Sequence, residues 1–71
     1  MEFQEPQVSD EYVGSKRIVK IAIFEVARSV SIRVAFFDQP KDPSETAAVE
    51  DARYIEKARE ALLAAVNSLN P

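Results

Sequence analysis

The stretch from Arg17 to Phe37 sets the terms for the rest of the chain, because it is dense in Val, Ile and Phe. Beta-branched and aromatic side chains pack well on a pleated surface, so this composition favours strands. The second half of the stretch alternates, with Val30, Ile32, Val34 and Phe36 set against Ser29, Ser31, Arg33 and Ala35. That is the period of a half-buried strand. A helical stripe can also be drawn through Val19, Ile23, Val26, Val30, Val34 and Phe37, but the β-branching and the alternation favour two strands. Neither Asn-Gly nor Asp-Gly marks a tight turn between them. A four-residue loop at Val26-Ala27-Arg28-Ser29 resolves the geometry. It sets Glu25 opposite Val30, Ile23 opposite Ile32, Ile21 opposite Val34 and Val19 opposite Phe36. One face of the hairpin then carries Val19, Ile21, Ile23, Val30, Ile32, Val34 and Phe36, apolar except for Glu25 at the turn. A slip of one residue would place the apolar set of one strand beside the polar set of the other. The expected strands run over about 17–26 and 30–37.

A helix is expected after the hairpin. Asp42-Pro43-Ser44-Glu45 reads as an N-cap, a proline at the first helical position and an acid near the positive end of the dipole. The predicted helix spans about 43–69, ended by Asn70 and Pro71. Heptad spacing lines up Ala48, Ile55, Leu62 and Leu69, flanked by Ala52, Ala58, Ala65 and Val66, as a stripe to cover the apolar sheet face. At 1.5 Å per residue such a helix is about 40 Å long, against about 27 Å for an eight-residue strand, so part of the stripe needs another cover. Before the hairpin, residues 1–15 lack sustained periodicity and contain Pro6 and Gly14, which suggests a flexible acidic arm, with a short strand as the alternative. The expected class is therefore α+β: an antiparallel hairpin and one long helix in a ββα domain over 16–71, preceded by the arm.

Small size makes such a fold marginal. With 71 residues a single core rarely supplies more than about 3–5 kcal/mol. The usual staples are disulfides, metals or oligomerisation, and the chain has no Cys and no His. Self-association into a homodimer or a higher even oligomer is the remedy that is left. The opposite hairpin face points the same way, since Ile18, Phe24 and Phe37 stand there among Lys20, Ala22, Ser31, Arg33 and Ala35. A two-stranded ribbon also leaves both edges open, and the alternative to a second copy is that the N-terminal arm covers these surfaces in a monomer. No run approaches the ~20 apolar residues of a membrane span, so no membrane association is expected. The acidic N-terminus reads as neither a signal nor an Arg-rich transit peptide. A cytoplasmic protein is the simplest expectation.

The same absences narrow the chemistry. Without Cys and His there is no thiol nucleophile, no zinc finger and no imidazole base, and a lone glycine cannot write a P-loop or a GxGxxG cradle. Glu56 and Glu60 lie four apart on the predicted helix, but among Arg53, Lys57 and Arg59 they read as a solvated charged surface rather than an acid–base pair. Asp10-Glu11 and the Asp38–Asp42 loop do not follow a calcium-loop spacing. The six Ser and Thr46 have no imidazole to activate them. The expectation is no enzyme, no cofactor and no metal.

Charge is more informative than its total. The net charge of −3 conceals a net −4 over residues 1–15, +4 over 16–41 and −3 from residue 42 onward. The basic middle suggests two binding readings. Ile18, Phe24 and Phe37 rimmed by Lys20 and Arg33 have the composition of a protein-interaction patch, and an open strand edge can accept a partner's strand. Alternatively, the basic hairpin (Lys16, Arg17, Lys20, Arg33) with its aromatics binds nucleic acid, against a sequence pI of about 4.8. A non-catalytic, self-associating accessory module that binds another protein is the favoured expectation.

Overall fold

A computed structural model describes residues 1–69 of the chain. The class is α+β: a three-stranded antiparallel sheet in the order β1-β2-β3, followed by one long helix. The strands are β1 (Gln7–Val13), β2 (Lys16–Phe24) and β3 (Ser31–Asp38), and the helix is α1 (Ala47–Ser68). The chain forms two compact units, Met1–Lys41 with the sheet and a second, from Asp42 onward, with the helix.

The β2–β3 hairpin has the register that the apolar pattern demands. Ile23 faces Ile32, Ile21 faces Val34 and Val19 faces Phe36. The Glu25 N–H donates to the Val30 carbonyl at 2.9 Å, which closes the hairpin around the four-residue loop. Within that loop the Arg28 N–H returns to the Glu25 carbonyl at 2.8 Å, and Arg28 sits at φ 58°. The left-handed residue lets the chain reverse without an Asn-Gly pair. Val19 and Ile21 are fully buried while Lys20 between them is exposed, so alternation carries through to packing. Burying each of these two side chains contributes about 1.5–3 kcal/mol.

The N-terminal stretch, expected as a flexible arm, supplies the third strand instead. Gly14-Ser15 is a two-residue turn between the paired Val13 and Lys16. Gly14 has φ 65° and Ser15 is not left-handed, as the first and second central positions of a type II′ turn require. The one glycine therefore serves a tight turn in the hairpin that precedes the expected one, while the expected hairpin keeps its four-residue loop. Gln7 faces Ala22, whereas Phe3 bridges Glu25. Residues 4–6 thus stand opposite Ile23 and Phe24 alone, an extra residue that makes a bulge at Pro6, which has no N–H to give. Beyond the bulge pairing resumes, with the Gln4 N–H on the Phe24 carbonyl at 2.8 Å and the Val26 N–H on the Glu2 carbonyl at 2.9 Å.

The helix begins later than its sequence signal implies. Asp42 is not the N-cap: its carboxylate accepts from the Ser44 N–H at 2.9 Å and the Ser44 hydroxyl at 2.7 Å, and its carbonyl from Glu45 at 3.1 Å. Asp-Pro-Ser-Glu is a self-contained turn with proline at its second position. Thr46, extended at φ −75° and ψ 157°, caps α1 by accepting from the Val49 N–H at 3.3 Å. With 22 residues the helix is about 33 Å long, close to the roughly 30 Å of the nine-residue β2. Asn70 and Pro71, expected to end it, lie outside the described residues.

The buried stripe of α1 is rotated from the expected line. Glu50, Tyr54 and Ala58 are its buried residues, with Ile55 and Leu62 half-buried, while Ala48, Ala52, Ala65, Val66 and Leu69 are exposed. An aliphatic heptad line misses Tyr54, whose ring is the largest apolar surface the helix owns. From Leu63 to Leu69 every residue is exposed. No helix is long and apolar enough to cross a membrane among the described residues.

Candidate functional site

Antiparallel pairing puts opposed residues on the same side of a sheet, so the registers assign every strand residue to a face. Arg17, Val19, Ile21 and Ile23 share one face with Ile32, Val34, Phe36 and Asp38, and with Val8, Asp10 and Tyr12 of β1. The expected patch lies together on the other, outer face. Ile18 is directly opposite Phe37 on one side and Glu11 on the other, Lys20 is opposite Ala35, and Arg33 is opposite Ala22, one step from Phe24. Ile18 and Phe24 are half-buried; Lys20, Arg33 and Phe37 are exposed, Phe37 at 62%.

The outer face is not one compact apolar cluster. Ile18 with Phe37 and the distant Phe24 are separated by six residues along β2, about 20 Å. Each aromatic carries a cation: the Lys16 ammonium stands 5.3 Å from the Phe37 ring centroid, and the Arg28 guanidinium 5.4 Å from that of Phe24. Lys20 pairs with Glu11 at 2.5 Å across β1 and β2. The loop is tied by the Ser29 hydroxyl, which donates to the Glu25 carboxylate.

Arg17 does not belong to this surface. Its side chain is 2% exposed on the inner face, donating to Asp10 at 2.8 Å and to Asp38 at 3.4 Å. It bridges an acid of β1 and an acid of β3 across the central strand. The basic face accordingly consists of Lys16, Lys20 and Arg33, with Arg28 from the loop. Asp10, Glu11 and Asp38 are each drawn to a cation, and no three acidic side chains converge on a common point among the described residues. On the helix Glu56 and Glu60 are both exposed, with Glu56 3.9 Å from Arg59, while Arg53 donates to Glu45 at 2.9 Å.

The edges of the sheet differ, which the sequence reading did not resolve. Even-numbered residues of β2 bond toward β1, as the Phe24 and Val26 bonds show, and odd-numbered ones toward β3, as the Glu25 bond shows. Even-numbered residues of β3 therefore bond inward, and Ser31, Arg33, Ala35 and Phe37 aim their N–H and C=O groups at the outer edge. All four are exposed, and no further strand pairs there among the described residues. The segment that extends the first strand toward Phe3 is broken by a bulge at Pro6 just before β1, and the inward-facing Asp10 stands along β1 itself. Those are devices that discourage pairing. The β3 edge has neither proline nor bulge over its eight residues. The signal for this asymmetry was the Gly14-Ser15 turn, which makes β1 an edge and β2 central. Searches of protein-family models, of curated proteins and of solved structures return no match for this chain.

Proposed function

We propose that the protein is a non-catalytic interaction module that self-associates and binds another protein through the outer face or the free edge of its sheet, in the cytoplasm. The observation that carries this reading is the exposed Phe37, set beside Ile18 with Lys20 next to them, on a face that shares Arg33 and adjoins an open strand edge. Aromatic anchors within a polar rim are the usual source of interface energy. The exposed Leu63, Val66 and Leu69 of α1 add apolar surface that favours association. Charge reversal at Lys20 and Arg33 tests the reading. The expected result is that a protein captured on the immobilised wild-type chain is lost with the doubly reversed chain, while circular dichroism and oligomeric state stay as they were. Equal capture by both chains overturns it.

A second reading draws on the two cation–aromatic pairs. Lys16 on Phe37 and Arg28 on Phe24 combine positive charge with stacking surface, the chemistry that holds single-stranded nucleic acid. Burial of Arg17 and the ion pair of Lys20 weaken it. Affinity for mixed oligonucleotides that falls steeply with salt supports this reading, and no binding at low salt removes it.

A further inference from the structure

We infer that the self-association proposed above runs through β3: two copies pair their β3 edges antiparallel about a twofold axis at Val34, joining two three-stranded sheets into one continuous sheet. The inference rests on that reading and names its contact. Three observations carry it. The first is continuity, since pairing along the N-terminal segment is broken by a bulge at Pro6, just before β1, whereas β3 runs unbroken over eight residues. The second is that the outward row of Ser31, Arg33, Ala35 and Phe37 alternates with inward-bonded residues over the whole strand. An antiparallel copy presents the same row in reverse, so donors meet acceptors only when odd-numbered residues face odd-numbered ones.

The third observation is that this constraint leaves few registers, and one of them suits both faces. With Val34 on the axis, Arg33 faces the partner's Ala35 and Ser31 faces the partner's Phe37. All four outward residues then pair, giving about eight hydrogen bonds. On the inner face Ile32 meets the partner's Phe36 and Val34 meets the partner's Val34, with Asp38 opposite the partner's Val30 at each end. Centring the pair on Arg33 would oppose two guanidinium groups, which is destabilising. Centring it on Ala35 would pair only Arg33, Ala35 and Phe37 and leave Ser31 beyond the end of the partner's strand, about two hydrogen bonds fewer. The register centred on Val34 is therefore the one in which all four outward residues of both copies pair.

Two substitutions and one dilution series test this on the full chain. Ala35→Pro removes an N–H that points away from β2, at a position where an edge strand tolerates proline. It deletes two symmetry-related hydrogen bonds, so the dimer dissociation constant from light scattering over a dilution series rises about 10- to 100-fold, with the circular dichroism spectrum unchanged. The chain has no cysteine of its own, so cross-linking reads the register directly. A mixture of Arg33→Cys and Ala35→Cys chains gives a mixed disulfide dimer under mild oxidation, and Ala35→Cys alone gives little. A dimer that Ala35→Pro leaves intact, with no mixed disulfide, overturns the β3 contact and spares self-association. A folded wild-type monomer at micromolar concentration overturns both. Should Ala35→Pro fail to fold, the cross-linking result decides alone.

Discussion

Arg17 is the residue whose environment differs most from its sequence context. In a run of Lys16, Arg17 and Lys20 it reads as one more surface base, yet strand parity turns it alone to the inner face. There a guanidinium at 2% exposure is compensated by Asp10 and Asp38. Asp38 is as enclosed as Arg17, at 5%, whereas Asp10 is 42% exposed. Removing the arginine leaves a buried carboxylate behind, so Arg17→Ala is expected to cost about 3–5 kcal/mol, comparable to the whole stability of a chain this size. Asp10→Ala removes one of two carboxylates, the one that is 42% exposed, and is expected to cost less, about 1.5–3 kcal/mol. Urea unfolding of the two variants separates these outcomes. Asp42 gives a pH signature of its own. Hydrogen bonds from the Ser44 hydroxyl, and secondarily from the Ser44 N–H, hold its carboxyl below the ordinary range. A carboxyl depressed in the folded state stabilises above its ordinary value, about 3.9, and that contribution is lost as pH falls through the folded-state value. Carboxyl carbon shifts followed against pH should show an Asp42 midpoint that rises in Ser44→Ala.

At the scale of elements, the central hairpin was legible to the residue, and its neighbours only in outline. The β2–β3 register follows from hydrophobic matching together with the length of the loop, because a slip of one residue buries serine or arginine beside isoleucine. The first strand was harder to see, since Asp10 interrupts its inner face and only Val8 and Tyr12 mark the alternation. Its signal was Gly14-Ser15 rather than any apolar run. Nothing lies within 4 Å of where a Gly14 Cβ would stand, so space is not the constraint there; φ is. Gly14→Ala should therefore cost about 1–2 kcal/mol, and D-alanine at the same position in a synthetic chain should cost none. Thermal denaturation of both chains checks this. The helix start was misread because Asp-Pro-Ser-Glu satisfies the rules for a cap and for a turn equally well, and local bonds decided for the turn. Thr46→Ala should lower stability by about 0.5–2 kcal/mol and reduce helicity in circular dichroism. Asp42→Ala should leave the helicity unchanged.

Among the described residues, few apolar side chains are buried: Val19 and Ile21 in the sheet unit, Tyr54 and Ala58 in the helical one. Against them stand exposed Phe37, Leu63 and Leu69. A chain with so slender a core gains stability from anything that binds only its folded form. If copies pair through β3, the thermal midpoint must rise with protein concentration, and Ala35→Pro must flatten that dependence; scanning calorimetry across a hundredfold concentration range, about 2.7 kcal/mol of mass action, reads both. What the amino-acid sequence determined by itself is what depends on near neighbours and on period. The α+β class, the hairpin and its register, and the existence of a long C-terminal helix are of that kind, because alternation and apolar matching leave one low-energy solution. What only the tertiary structure decided depends on which strand flanks which. Pairing of β1 on β2 made Arg17 a buried bridge, set Glu11 on Lys20, and left β3 as the open edge. Those outcomes are fixed by hydrogen-bond direction and strand order, which no single segment of the sequence encodes.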